Sequence, residues 1–197
     1  MARPRSDTTD RLLTAPEFAE LPEEGPYRLE LVRGRVVRSP RPGVLHGRIA
    51  LRLGRMLDEF VEAGGHGVVV VEAGTLLERD PDTVRGPDIA FYSQDRIPES
   101  GYATTYWRPP DLAVEITSPG NRVGELQERV KGYLDAGVRL AWVIDPSSRT
   151  ATTYRTGGEA RLLGVEDALE GGDVLPGVRL PLVTLFALSP PRRSLRS

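Results

Sequence analysis

The spacing of hydrophobic positions changes several times along the chain, and each change predicts an element. In TAPEFAEL (14–21), Thr14 precedes the run, Glu17 lies three residues on and Pro16 suits a first helical turn. That is a capping signature, and it predicts a short helix. YRLELVRGRVVR (27–38) has Leu29, Leu31 and Val36 as apolar members and breaks at Arg33-Gly34. It predicts two strands in a hairpin. In HGRIALRLGRMLDEFVEAGG (46–65), Ile49, Leu53, Met56, Leu57 and Phe60 recur at helical spacing, and Gly64-Gly65 ends the run. GVVVVEAGTLLE (67–78) is β-branched and reads as strand with a bend at Gly74. RDPDTV (79–84) reads as a turn and GPDIAFYS (86–93) as a short strand. Residues 94–110 are irregular.

The densest pattern follows. DLAVEITS (111–118) alternates, with Leu112, Val114 and Ile116 on one face and Ala113, Glu115 and Thr117 on the other. The next stretch, 118–137, predicts a helix capped by Ser118, with Pro119 first and Gly137 closing it. Its apolar stripe is Leu126, Val130, Tyr133 and Leu134. VRLAWVID (138–145) is an apolar strand. Strand, helix and strand with almost no linker make a βαβ unit, so the two strands are expected to be parallel. Residues 150–164 predict another hairpin, and LPGVRLPLVTLF (175–186) packs an apolar surface. The organisation expected is an arm (1–13), one domain (14–188) and a tail (189–197), without internal repeats.

Composition changes this picture little. At 197 residues, 39% hydrophobic and 27% charged, the chain has the make-up of a soluble globular domain. A net charge of −2 provides no overall basic field for coating nucleic acid, although a local basic groove remains compatible with it. The absence of cysteine excludes disulfides and thiol chemistry. No apolar run reaches bilayer length, and the polar start MARPRSDTTD has no signal-type apolar region, so a cytoplasmic location is expected.

Candidate chemistry centres on three residues. Lys131 is the only lysine among 26 basic residues. In an Arg-biased sequence that is either chance or a position needing a compact ammonium with a movable pKa. Glu115 lies inside an apolar strand, and Asp88 opens a strand after Pro87. Two carboxylates on adjacent strands suit Mg²⁺, which takes one or two carboxylates plus waters and phosphate oxygens. Each residue also has an ordinary reading: Asp88 as a turn residue, Glu115 on a solvent face, Lys131 as a helix-surface residue beside Gln127 and Gly124. Glu30 either joins this site or faces water. His46, on the face of Ile49 and Leu53, is either a satisfied core or capping residue or a site residue. His46 and His66 lack the spacing of a zinc motif.

YRLELVRGRVV, HGRIALRLGRML, RGPDIAFYS, PPDLAVEITSPGNR, ERVKGYLDAGVRLAWVIDP and LPGVRLPLVTLF occur in an order that resembles the Uma-type "putative restriction endonuclease" family of the PD-(D/E)XK nuclease superfamily. The resemblance spans roughly residues 12–188. It implies an α/β, restriction-endonuclease-like core in which a central mixed sheet is flanked by helices. It implies a Mg²⁺ (or Mn²⁺) site held by Asp88 and Glu115. The superfamily's usual lysine, two residues after the second carboxylate, is replaced by Thr117, and Lys131 matches a lysine displaced onto the following helix. Glu30 and His46 match the family's first-strand acid and helix-start histidine. The resemblance thus implies a Mg²⁺-dependent endonuclease acting on DNA. The alternatives are a nuclease acting on RNA or an inactive binding module on the same fold. A homodimer is expected, since duplex cleavage needs two sites. The 94–110 loop is expected at the site rim, with Arg96, Tyr102 or Arg108 meeting phosphate.

Overall fold

A computed structural model describes residues 11–22, 24–120 and 122–188. The expected tail and most of the expected arm lie outside the described residues. The short helix α1 (Ala15–Ala19) has the predicted reciprocal cap between Thr14 and Glu17. It is followed by the hairpin β1 (Tyr27–Val32) and β2 (Arg35–Pro40), then the long helix α2 (Val44–Gly64). Gly65 ends α2 in the left-handed conformation, with φ 61°, where glycine has no steric cost. Next come β3 (Gly67–Val71), β4 (Thr75–Glu78), β5 (Thr83–Arg85) and β6 (Ile89–Ser93). The βαβ unit is β7 (Leu112–Ile116), α3 (Val123–Asp135) and β8 (Leu140–Asp145). The chain continues through β9 (Thr150–Arg155), β10 (Ala160–Leu163), β11 (Ala168–Glu170), β12 (Arg179–Pro181) and α4 (Leu182–Phe186).

The strands form a six-stranded sheet ordered β10-β9-β8-β7-β6-β3, a four-stranded sheet ordered β2-β1-β5-β4, and the pair β11-β12. In the six-stranded sheet β7 and β8 run parallel, as the short connections through α3 demand, and the other neighbours are antiparallel. This is the expected central mixed sheet flanked by helices.

Side-chain size separates the two faces of that sheet. Ile89, Phe91, Leu112, Val114, Leu140, Trp142 and Ile144 face α2, whose Ile49, Leu53, Leu57 and Val61 complete the main core. The opposite face carries Ala90, Ala113 and Ala141, small enough for other elements to approach closely. There Ala113 packs with Tyr133 of α3 and with Leu77 of the four-stranded sheet. Glu115 alternates onto this second face, toward α3 and away from the main core.

Three details differ from the sequence reading. Residues 67–78 are two strands in two different sheets, because the chain changes sheet at 72–74. RDPDTV is more than a turn, since Thr83 and Val84 start β5 and pair with β4 and β1. Helix α3 starts at Val123 with Arg122 before it, so Ser118 is not its cap. The Ser118 hydroxyl instead lies 3.3 Å from His46 Nδ1.

Leu57 is fully buried between α2 and the sheet, whereas Leu51 on the same helix is 65% exposed. Leu57→Ala is expected to lower unfolding free energy by about 2–5 kcal/mol. Leu51→Ala should stay within about 0.5 kcal/mol. Urea titrations of the two variants check both figures.

Candidate active site

The site starts from strand register. Ile89 of β6 is opposite Val114 of β7. One residue further in the same register, Asp88 faces Glu115, and directly opposed residues have Cβ atoms about 4.5–5.5 Å apart. Asp88 is only 3% exposed, and its Oδ2 accepts a hydrogen bond from Ile116 N at 2.7 Å. Its side chain thereby takes over a backbone donor where β6 begins.

The four-stranded sheet supplies the opposite wall. Arg28 and Glu30 project from β1, and Arg85 from β5. Arg28 Nη1 lies 3.1 Å from Asp88 Oδ1, and its Nη2 lies 3.2 Å from Glu72. Glu30 is 7% exposed. It accepts from Gly86 N at 3.1 Å and from Arg85 Nη1 at 3.0 Å. Helix α3 closes the third side. Arg129 grips Glu30 in a two-pronged pair at 2.8 and 2.7 Å, and its Nη1 also reaches Glu115 Oε1 at 3.2 Å. Tyr133 donates its hydroxyl to the same Oε1 at 2.5 Å. His46, near the start of α2, places Nε2 3.1 Å from Asp88 Oδ1. The contact is not aligned as a hydrogen bond, so Nε2 is a buried nitrogen without a hydrogen-bond partner among the described residues. These groups border a cleft of about 820 Å³.

The two central carboxylates titrate in opposite directions. Burial pushes Glu115 up to about 7; Arg129 opposes this, and nearby Asp88 adds to it. Burial also acts to raise Asp88, but His46, Ile116 N and Arg28 outweigh it and hold Asp88 below the ordinary carboxylate range. Arg129 loses solvation, yet Glu115 and Glu30 more than compensate and bind its proton more tightly than usual.

The donor set fits a hard divalent cation. Both protein donors to Glu115 converge on Oε1, leaving Oε2 without a donor among the described residues. Glu115 Oε2 is thus open to an ion, whereas Asp88 on the adjacent strand would share oxygens that already face Arg28, His46 and Ile116 N. Among the described residues no three His, Asp or Glu side chains group into a full cage.

Of the residues expected from sequence, the fold brings Asp88, Glu115, Glu30 and His46 together. Lys131 is not among them. Its side chain is 74% exposed and pairs with Asp135 one turn on, away from the cleft. The reason is helical geometry: two residues along a helix is a rotation of about 200°, so with Arg129 turned inward Lys131 turns outward. The sequence reading missed Arg129, Tyr133, Arg28 and Arg85. One signal was available: Arg129 sits at i+3 from Leu126 and i−4 from Tyr133, a charge within the apolar stripe. The loop expectation also changes at Arg96. Its guanidinium holds the carbonyls of Pro109, Pro110 and Gly137 and pairs with Asp111, so it anchors the loop.

A family model described as "Uma2: Putative restriction endonuclease" matches residues 15–183. Among solved structures, the chain is similar to a "putative nuclease belonging to DUF820" from Anabaena variabilis, with 24% identity and a TM-score of 0.78. The match covers 88% of this chain and 97% of that one, and at this identity it shows a shared fold. No curated protein matches the chain.

The charge network predicts unequal costs for the two α3 cations. Arg129→Ala leaves Glu30 and Glu115 uncompensated and should cost about 3–5 kcal/mol, whereas Lys131→Ala should stay within about 0.5 kcal/mol. Equal denaturation midpoints for the two variants would refute the assignment. Glu115 also predicts a pH effect in the metal-free protein. Its folded pKa of about 7 lies above the ordinary carboxylate value of 4.5. Its contribution to stability is then complete below pH 4.5 and is lost as pH rises through 7. Relative to Glu115→Gln, the wild type should lose a few kcal/mol across that window. Urea unfolding in EDTA at pH 5, 6 and 7 measures the difference.

Proposed function

The chain belongs to the Uma2 family of "putative restriction endonucleases", and from that membership we propose that it hydrolyses phosphodiester bonds in nucleic acid, principally DNA, with Mg²⁺ or Mn²⁺. The observation that carries this reading is Asp88 set opposite Glu115 on the floor of an arginine-walled cleft. Asp88 and Glu115 are the residues to hold the ion. When bound, such an ion supplies Lewis-acid polarisation of phosphoryl oxygen and lowers the pKa of water.

The chain's own residues divide the remaining work. Arg28, Arg85 and Arg129 present guanidiniums to a phosphate, and such prepositioned donors favour charge that builds up in a transition state. Glu30 is a positioning residue, since it holds Arg85 and Arg129 and touches no reacting atom itself. Arg129 occupies the place expected for an ammonium, but a guanidinium does not surrender its proton. Proton acceptance then falls to another group, and His46, whose Nε2 has no hydrogen-bond partner among the described residues, is the candidate. A homodimer, giving two sites for two strands, belongs to the same proposal. No described helix is long and apolar enough to cross a membrane.

A second reading has one observation in its favour. Arg28 already pairs with Asp88, and Arg129 with Glu115, so the carboxylates are matched without an ion, as an inactive binding module would have them.

Calorimetric titration with Mn²⁺ and cleavage of plasmid DNA in Mg²⁺ separate the two. The wild type is expected to bind the ion and nick DNA. Asp88→Asn and Glu115→Gln should lose binding and at least about a hundredfold in rate. Lys131→Arg should keep full rate. No ion binding by the wild type, or undiminished cleavage by Asp88→Asn, would overturn the nuclease reading.

A further inference from the structure

A second cavity, about 130 Å³, adjoins the main cleft and is lined by Val70, Tyr92, Tyr102, Thr104, Thr105 and Trp107. Gly74 borders both cavities. A Cβ on Gly74 would come 2.7 Å from the ring of Tyr106, a cleft residue, so bare main chain is all that fits between the two spaces.

The aromatic residues here differ sharply in exposure. Trp107 is 8% exposed and firmly held. Its carbonyl accepts from Leu76 N at 2.9 Å and from Thr75 Oγ1 at 3.3 Å. Its ring meets Tyr92 edge-on, with centroids 5.0 Å apart. Tyr102 stacks on Trp107 at 5.7 Å and 28°, yet remains 80% exposed. One ring is therefore fixed as a base, and the ring laid on it offers a π face to solvent. Arg108 is exposed beside them.

This arrangement, next to a cleft whose lining includes the guanidiniums of Arg28, Arg85 and Arg129, has the two elements of single-strand recognition: cationic groups for the backbone and aromatic rings for bases. An intact duplex keeps its bases stacked inside and has none to offer such a ring. We propose that Tyr102 and Trp107 form a stacking subsite for an unpaired nucleobase of the strand whose phosphate lies in the Arg28, Arg85 and Arg129 cleft. The substrate class is then single-stranded or locally unpaired nucleic acid. The proposal rests on the nuclease reading and narrows it.

The test is binding in EDTA, where cleavage cannot confuse the readout. The full chain is titrated with a labelled DNA 12-mer, its duplex and the matching RNA 12-mer, while tryptophan emission is followed. Trp142 is fully buried, so quenching reports Trp107. One or both single strands should bind more tightly than the duplex and quench emission; the tighter of the two identifies the sugar preferred. Tyr102→Ala should weaken single-strand binding about tenfold or more, and Tyr102→Phe should restore it. Because Tyr102 is exposed, the folded state tolerates both changes. Equal affinity for single strand and duplex, or no loss in Tyr102→Ala, overturns the subsite alone. No binding of any nucleic acid also overturns the subsite, while the nuclease reading stands or falls on the Mn²⁺ titration and the cleavage assay.

Discussion

The cleft depends on one ion triad, Glu30–Arg129–Glu115. Glu30 belongs to β1 of the four-stranded sheet, Glu115 to β7 of the six-stranded sheet and Arg129 to α3. A single guanidinium therefore links both sheets and the helix. Removing charges from water costs several kcal/mol per ion, and that cost is recovered only with good geometry and satisfied donors. Here the two-pronged Arg129–Glu30 pair, the Arg85 and Gly86 donors to Glu30 and the Tyr133 bond to Glu115 meet that condition. Well-packed apolar residues would serve stability as well or better. Keeping charge there makes sense where an open, polar cleft is needed.

The sheet's two faces explain why the site lies where it does. Large side chains on the α2 face make a continuous core with α2 and α4. Ala90, Ala113 and Ala141 on the other face leave room for Tyr133 and Trp107. Polar groups on that side need not enter the main core. Asp88 opens β6 and Glu115 sits next to last in β7, so both lie at one end of the sheet, where β1 and the start of α2 come near. Alternation along two strands is thus enough to put two carboxylates together at the cleft floor.

Much of this was legible in sequence because it follows from local periodicity. The capping box at Thr14, the hairpin at Arg33-Gly34, the span of α2 and the parallel pair flanking α3 all follow from spacing and turn residues. Asp88 and Glu115 could be singled out because one opens an apolar strand after Pro87 and the other interrupts one. The four-stranded sheet was not legible: β4 and β5 are short, and β1, the other partner of β5, lies far away in the chain. Arg28 and Arg85 look like ordinary surface arginines until β1 and β5 come together beside β6. Lys131 misled because rarity is a property of composition. Whether a side chain points inward is a property of helical phase, and the phase set by Leu126, Val130 and Tyr133 selects Arg129.

That selection also accounts for the residue type. Arg28, Arg85 and Arg129 on the cleft wall are each already bonded to a carboxylate. A lysine so engaged has three donors on one point charge, and neutralising two carboxylates would leave it little to offer. A guanidinium has five donors in a rigid fork. Arg129 makes three bonds to Glu30 and Glu115, and Arg85 makes one to Glu30. Both keep N–H groups in hand for an anion while holding the acids that orient them. Charge neutralisation and phosphate recognition then do not compete for the same atoms. The cleft lining sets five arginines against six carboxylates, so it offers cationic donors without a net positive field, in keeping with a chain of net charge −2.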